Sequence, residues 1–533
     1  TFKSLYHYNC TNNKLRVFKI KYKMFYISFF VCVILYYIYW MLVKNHDYWK
    51  KRNVPYIAPQ MIFGNYREYI LMKKYQGQVA REICEKFPDE PYIGTFYGTE
   101  PALLIHDPDI IKLVMNTDFN YFTGREITDY THKEVFTNHL FFQGGHEWKV
   151  LRQNLNPLFT PSKIKQMFPH IKDCVNELVK YLETETTMNQ NINVKSLLVK
   201  YTMDCIMACA FGINANCLKT NEGENPFNIA GEQIFDKSIV RGLKMACRSL
   251  WPSLFYGLGF RMFDKNITDF FHGLFNKVSN SRIQSEINRN DFVTLISELK
   301  KNSHITGSCY TVTGDKKKID IKVNDDLLVA NCAGFFAAGF ETTASSLGFL
   351  LYELAKSKDV QDQLITEIDS YLQRNNGVID YECINELPYM EACIDETLRL
   401  YPVLGVLTRE VTDEYTLPTG LRLDKGTRIH IPVYHVQRRQ DYFPEPDKFL
   451  PERFLGEQKK HVKPFSFLPF GEGPRLCIGM RFAKMPMHAV LLTIFKKYRI
   501  ELAENMPLKL DFRPTGLATH STTDVYLKFI RRD

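Results

Sequence analysis

With 533 residues, 45% of them hydrophobic, the chain can bury a large core. The 39 phenylalanines and 30 tyrosines suit a greasy pocket, a membrane contact or simply a big interior. A net charge of +9 fits an anionic membrane surface or an acidic partner, but no run of about five like charges and no aromatic–basic repeat occurs, which excludes a nucleic-acid platform.

Met24–Val43 (MFYISFFVCVILYYIYWMLV) carries no charge and is long enough to span a bilayer, with Tyr36, Tyr37, Tyr39 and Trp40 toward one end as interfacial aromatics. Lys44, Lys50, Lys51 and Arg52 follow and place the rest of the chain on the cytoplasmic side. A cleaved signal peptide would have a shorter apolar region ending in small residues, so we read 24–43 as a transmembrane anchor. Residues 1–23 carry Lys14, Arg16, Lys19, Lys21 and Lys23, which oppose that topology. We expect translation to start at Met24 and 1–23 to be a gene-prediction artefact. Residues 44–59, basic and stiffened by Pro55 and Pro59, read as a linker to a globular part over 60–533.

Tyr92–Tyr97 and Ala102–Ile105 read as strands around a turn. Much of 107–301 reads as helices joined by polar loops, including 221–225 (NEGEN). Leu250–Phe263 (LWPSLFYGLGFRMF) is unusually apolar for a stretch with Gly and Pro; it is either a second membrane-touching surface or a buried loop–helix junction. Asn324–Lys356 reads as one helix on the order of 50 Å long, capped by Asn324 or Asp325. Its only charge between Leu327 and Tyr352 is Glu341, beside Thr342 and Thr343. A buried carboxylate is costly unless hydrogen-bonded or used. Gly339 weakens the helix locally, so a ligand or water can enter its hydrogen-bond ladder, and the acid–alcohol pair could pass protons to bound dioxygen. A second membrane span is the rival reading, opposed by Asn331 and Glu341 in mid-segment. A helix from Pro388 to Tyr401-Pro402 carries Glu396 and Arg399, spaced i, i+3 and so able to pair. Thr427–Val433 reads as a strand. The class is mostly α with a minor β part.

The 13 cysteines include no CxxC pair, so spacing offers no structural zinc site. They read as a reducing compartment with one functional thiol; Cys205 and Cys209 share a helix face and read as small buried thiols. The functional thiol is Cys477, in Phe470-Gly-Glu-Gly473-Pro-Arg475-Leu-Cys477-Ile-Gly479, a glycine-rich loop leading into the apolar stretch Ile478–Ile500. Glycines let backbone approach a flat ligand, a helix start favours a thiolate, and Arg475 can pair with an anionic group of the same ligand. Trp148 and Arg152, i and i+4, share a further helix face.

The Cys477 loop matches FxxGxRxCxG at every fixed position and resembles the haem loop of the cytochrome P-450 superfamily. Ala338–Thr343 resembles its oxygen-activation motif, Trp148/Arg152 its WxxxR motif, and Glu396, Arg399 and Arg453 (in Pro451-Glu-Arg453-Phe454) its Glu–Arg–Arg network. The GFETT and FGEGPRLCIGMRFAKM stretches are similar to insect microsomal detoxification members. The resemblance implies the cytochrome P-450 fold, a large helical bundle with a long central helix and a small β region. It implies haem b, with Cys477 as axial iron ligand in a pocket that includes Phe470, Gly473 and Gly479. Trp148, Arg152, Arg409 (in LTREV) and Arg475 would hold the propionates, and Glu341 and Thr342 would guide protons and O2. The substrate pocket would draw on the 119–142 loop, Phe335, Phe336, Phe340, Val403, Val406 and the 515–517 segment with Leu517. Electrons would come from NADPH through cytochrome P-450 reductase, with cytochrome b5 as a second donor, at the endoplasmic reticulum membrane. The substrates would be lipophilic xenobiotics such as plant toxins or insecticides, with hormones or fatty acids as rivals.

Two departures stand out. Gln437-Arg438-Arg439-Gln440 sits where relatives usually show a His/Asp/Pro turn. Pro486 lies about two turns into the helix after Cys477, where a proline costs roughly 3 kcal/mol and kinks the helix. Two other classes stay open. A reductase-independent haem-thiolate isomerase is opposed by Thr342. A catalytically impaired relative is opposed by the intact Cys477, Glu396, Arg399 and Thr342, and favoured by Pro486.

Overall fold

The computed structural model of the chain describes residues 2–188, 191–220, 223–285, 291–310, 315–516 and 518–532. Its first element is a single helix, Phe2–Val43, which starts well before the charge-free stretch at Met24. Between Lys21 and Val43 it is apolar enough to cross a membrane, and no other part of the protein covers it. The segment after it is no free linker. Trp49 is fully buried, and its indole N–H donates to the Thr95 carbonyl at 2.8 Å. Gly94 makes the room: a Cβ there would lie 2.5 Å from the indole. Arg52 pairs with Asp424, so the apolar helix leads into a segment already fixed to the folded part.

That sheet has four strands. Tyr92–Tyr97 pairs antiparallel with Glu100–Ile105, which runs parallel to Arg428–Ile431; Leu407–Glu410 closes the far edge antiparallel. The strand expected over 427–433 is shorter because Pro432 cannot donate to a ladder, and the chain turns into a short helix, Val433–Val436. A hairpin of His304–Tyr310 and Lys316–Lys322 lies on the helix Gly145–Leu155. A smaller sheet joins Tyr498–Leu502, Tyr526–Arg531 and Ile192–Asn193.

The rest is helical around Asp325–Lys356. Asn324 caps this long helix by accepting from the Leu327 N–H at 2.8 Å, and two aspartates in its first turn and Lys356 in its last complement the macrodipole. Most of its apolar length is buried, so it is a core helix and not a second span. Asn331 is satisfied on both sides: its amide donates to Leu327 O and its oxygen accepts from Leu140 N. Gly339 exists for packing. A Cβ there would meet the Ile206 side chain at 2.6 Å, so the glycine admits the helix Val194–Ile206 rather than a ligand.

Leu250–Phe263 divides between the two readings open for it. Leu250, Phe255 and Met262 are buried, while Leu254, Leu258 and Phe260 are exposed. The segment is held from beneath by the Glu134 carboxylate, which accepts from the backbone N–H groups of Met262 and Phe263 and from Tyr256 OH. Of the 221–225 loop, 221 and 222 lie outside the described residues. Asn225 caps the following helix by accepting from Phe227 N. Cys205 and Cys209 are both buried, beside Cys174.

Candidate active site

The Cys477 loop is shaped by two glycines in the left-handed region, Gly471 (φ +72°) and Gly473 (φ +70°). At Gly473 a Cβ would fall 1.8 Å from the Met115 carbonyl oxygen, so no side chain fits without moving backbone. The Cys477 N–H closes the loop onto the Phe470 carbonyl at 2.9 Å, and the helix Met480–Lys497 begins three residues later. Gly479 has φ −90° and nothing within 4 Å of where a Cβ would stand; it borders open space. Cys477 is exposed in the loop, with protein packed around its side chain. Burial pushes its thiol up, and the Gly479 amide and the guanidinium groups of Arg152 and Arg125 pull the other way.

Four arginines, Arg125, Arg152, Arg409 and Arg475, gather near Cys477. Burial and mutual repulsion with Arg125, Arg409 and Arg152 hold Arg475 well below the ordinary range of an arginine. Burial takes Arg409 down to about 9 and Arg125 to about 10, and lowers Arg152 as well. Arg475 lies 4.5 Å above the Trp148 ring and donates to the carbonyls of Thr123 and Gln143. Arg125 lies 4.0 Å over Phe141, and Arg409 donates to Thr408 O at 2.8 Å. Arg125, Arg409 and Arg475 each bury an Nε with no hydrogen-bond partner among the described residues. Buried cations stacked this closely are costly until anions join them. Trp148 and Arg152 stand on the helix Gly145–Leu155, beside a cavity of about 380 Å³ that also takes in Phe119 and Pro474. Arg125 is the member sequence reasoning missed: it sits in a loop with no spacing motif, in a segment assigned to the substrate.

On the long helix, Ala338 is exposed and Thr342 half-buried, four residues apart on one face. Thr342 Oγ1 donates to the Ala338 carbonyl at 2.7 Å. Glu341 turns away from that face. Its carboxylate meets Lys195 Nζ at 2.7 Å and His520 Nδ1 at 3.3 Å, with Ser345 beside it. Burial would raise the Glu341 carboxyl, but the Lys195 ammonium and His520 outweigh it and hold the group below its usual range. Burial pushes His520 down to about 3 and lowers Lys195 too. Phe336 and Phe340 are buried in the core, against Phe271 and Phe235. Phe335 packs between Phe159 and Phe292. Val403 is half-buried with its carbonyl accepting from Thr519 N, and Val406 packs with Ile93, Leu104 and Leu250. Leu517 lies outside the described residues.

Behind the cysteine loop the structure brings Glu396, Arg399 and Arg453 together. Arg399, fully buried, binds Glu396 in two hydrogen bonds, Nε at 2.7 Å and Nη2 at 2.9 Å. Its remaining donors go to the carbonyls of Gln437, Pro446 and Lys448. Arg453 Nε approaches Glu396 at 3.4 Å. The unusual 437–440 turn is held by Gln437 itself. Its side-chain amide donates to Leu398 O and Arg399 O, and its oxygen accepts from Leu468 N at 2.7 Å. The Gln437 amide thereby ties the end of the Glu396 helix to the approach of the cysteine loop.

Buried guanidinium groups gathered near Cys477 suit a ligand that carries carboxylates. Residues 55–527 match the Cytochrome P450 family model. Similar proteins include cytochrome P450 6k1 of Blattella germanica (34% identity over 91% of this chain and 93% of the relative). Cytochrome P450 6B1 of Papilio polyxenes (33%; 96% and 100%) and cytochrome P450 6a2 of Drosophila melanogaster (33%; 92% and 96%) match as fully. The chain belongs to the cytochrome P450 family and is a monooxygenase of that family.

Proposed function

We propose that the protein uses haem b, with Cys477 as the axial iron ligand, to insert one oxygen atom of O2 into lipophilic small molecules. The reading rests on the buried arginines around the accessible Cys477 sulfur, whose unpartnered Nε groups suit two propionates. When bound, the haem supplies dioxygen activation. Everything else falls to the chain.

Arg125, Arg152, Arg409 and Arg475 would hold the haem's carboxylates, with Trp148 stacked under Arg475. Gly479 would leave room for the plane, while Gly473 lets the loop close against the Met115 backbone and the Phe470 carbonyl accepts from the Cys477 N–H. Glu396, Arg399, Arg453 and Gln437 fix the backbone that presents the sulfur. Thr342, once its hydroxyl leaves the Ala338 carbonyl, would pass a proton on and take one back from solvent on the exposed helix face. Glu341, held as a carboxylate by Lys195 and His520, stands behind it and would pass on only a proton it has first accepted. Phe335, Val403 and the 119–142 loop contribute an apolar lining that favours xenobiotics over polar metabolites. Electrons come from NADPH through a flavoprotein reductase, with cytochrome b5 as a second donor, while the apolar helix up to Val43 anchors the protein in the endoplasmic reticulum membrane, catalytic part toward the cytoplasm.

The test is the carbon monoxide difference spectrum of the reduced, membrane-expressed protein. Wild type should give the red-shifted Soret band of a thiolate ligand, and Cys477→His the shorter-wavelength band of an imidazole ligand. With reductase and NADPH, the wild type should then oxidise lipophilic probes. A wild-type spectrum without a thiolate band, or turnover that needs no reductase, overturns the reading.

A further inference from the structure

Far from the cysteine loop in sequence, three chemistry-bearing side chains meet where spacing gave no hint of a site. Cys84 ends the helix Gln76–Cys84, His106 follows the strand Glu100–Ile105, and His435 lies in the short helix Val433–Val436. One donor atom from each lies within 4.8 Å of the other two. Cys84 and His106 are 0% exposed and His435 only 9%, so the group is sealed on the protein side.

The surroundings favour donors rather than mere packing. His106 Nε2 is buried with no hydrogen-bond partner among the described residues. Its Nδ1 faces Arg439 Nη1 at 3.3 Å, so a metal bound at Nε2 requires that contact to open and the ring proton to move to Nδ1. The nearest opposing charge is Arg439, whose Nη1 lies 3.3 Å from His106 Nδ1. It is held by two hydrogen bonds to Asp441, at 2.9 and 2.7 Å, and that half-exposed carboxylate acts on both histidines.

We propose that Cys84, His106 and His435 bind a zinc ion, with water in the fourth position. One sulfur and two imidazole nitrogens form a borderline-soft set of the kind zinc takes, and closing them to bonding distances of about 2.0–2.3 Å asks each side chain to move by about an ångström. Binding exchanges ions in balance: the Cys84 S–H bond breaks, the metal–sulfur bond forms, and the proton leaves to solvent. The ion ties together a helix, the end of a sheet strand and a helical turn that are widely separated in sequence, and its role is structural.

The haem-loaded full chain is treated with a chelator, given ZnCl2, passed through a desalting column and analysed for zinc and iron. We expect about one zinc retained per haem and a thermal midpoint a few degrees higher than without zinc. His435→Gln and Cys84→Ser should each lose the retained zinc and the zinc-dependent shift while keeping the carbon monoxide spectrum. His435, nearest the surface, serves if the Cys84 variant does not fold. Zinc absent from the wild type after desalting, or retained equally by His435→Gln, overturns the proposal.

Discussion

Arg399 spends every donor on a defined partner, so removing it leaves the Glu396 carboxylate buried beside Leu450 N and a more distant Arg453. Arg399→Ala should cost about 3–5 kcal/mol, because an uncompensated charge stays behind. The measurement is the urea midpoint, together with haem recovered per chain; a loss under about 1 kcal/mol would show that Arg453 can replace it. Glu410 sets up a different test. Burial and then the charge of Asp129 hold its carboxyl up at about 7. The folded pKa stands above the unfolded one, so the fold binds the extra proton. That stability is present at low pH and is lost as pH rises through about 7. Glu410→Gln should flatten this fall and gain at most roughly 3 kcal/mol at about pH 8. Parallel wild-type and variant stability curves would refute it. At this scale the sequence was uneven. Glu396 and Arg399 announce themselves by i, i+3 spacing. Arg125 and Gln437 do not, because what recruits them is three-dimensional: one joins a cation cluster built from four separate segments, the other replaces a familiar turn with its own amide.

Among the elements, the long helix was legible from end to end. A continuous apolar run, the Asn324 cap and two acidic first-turn residues all point the same way. The His304–Tyr310 hairpin was not. Its inward positions are Ile305, Gly307 and Cys309, and the glycine breaks the apolar alternation. It is there because a Cβ at 307 would strike Val150 and Gln153 of the helix beneath, whose Gln153 amide bonds both polar groups of Ser308. The kink expected at Pro486 is also not a break. Met480–Lys497 runs through it as one helix, and Tyr201 OH donates to the Pro486 carbonyl at 3.0 Å. The proline still removes one helical N–H and leaves the Phe482 carbonyl without its helical donor. Pro486→Ala should therefore stabilise the protein by about 1–2 kcal/mol, less than the full roughly 3 kcal/mol because packing of a buried ring is lost. The urea midpoint checks this, with the carbon monoxide spectrum unchanged. A lower midpoint would mean that the ring's packing outweighs the missing hydrogen bond.

Over the whole molecule, the apolar surface is not confined to the N-terminal helix. Ile239, Val240 and Leu243 on one helix and Leu254, Leu258 and Phe260 on the next segment are exposed, while the buried Trp49 joins the anchor directly to the sheet. Patches of this kind on a folded domain mark a partner surface, and a membrane is already implied by the apolar helix that ends at Val43. A chain cut to begin at Lys44 keeps Trp49 and its contacts, so it should fold and give an unchanged carbon monoxide spectrum. It should nevertheless stay partly with the membrane, since half-burying Leu254, Leu258 and Phe260 in lipid is worth roughly 1 kcal/mol each. Adding Leu254→Ser, Leu258→Ser and Phe260→Ser to the cut chain should move it to the supernatant. The readout is the fraction sedimenting with vesicles in high salt, which suppresses attraction of the basic protein to anionic lipid. If the cut chain is fully soluble before those three changes, the patch does not touch the bilayer, and the anchor alone holds the enzyme there.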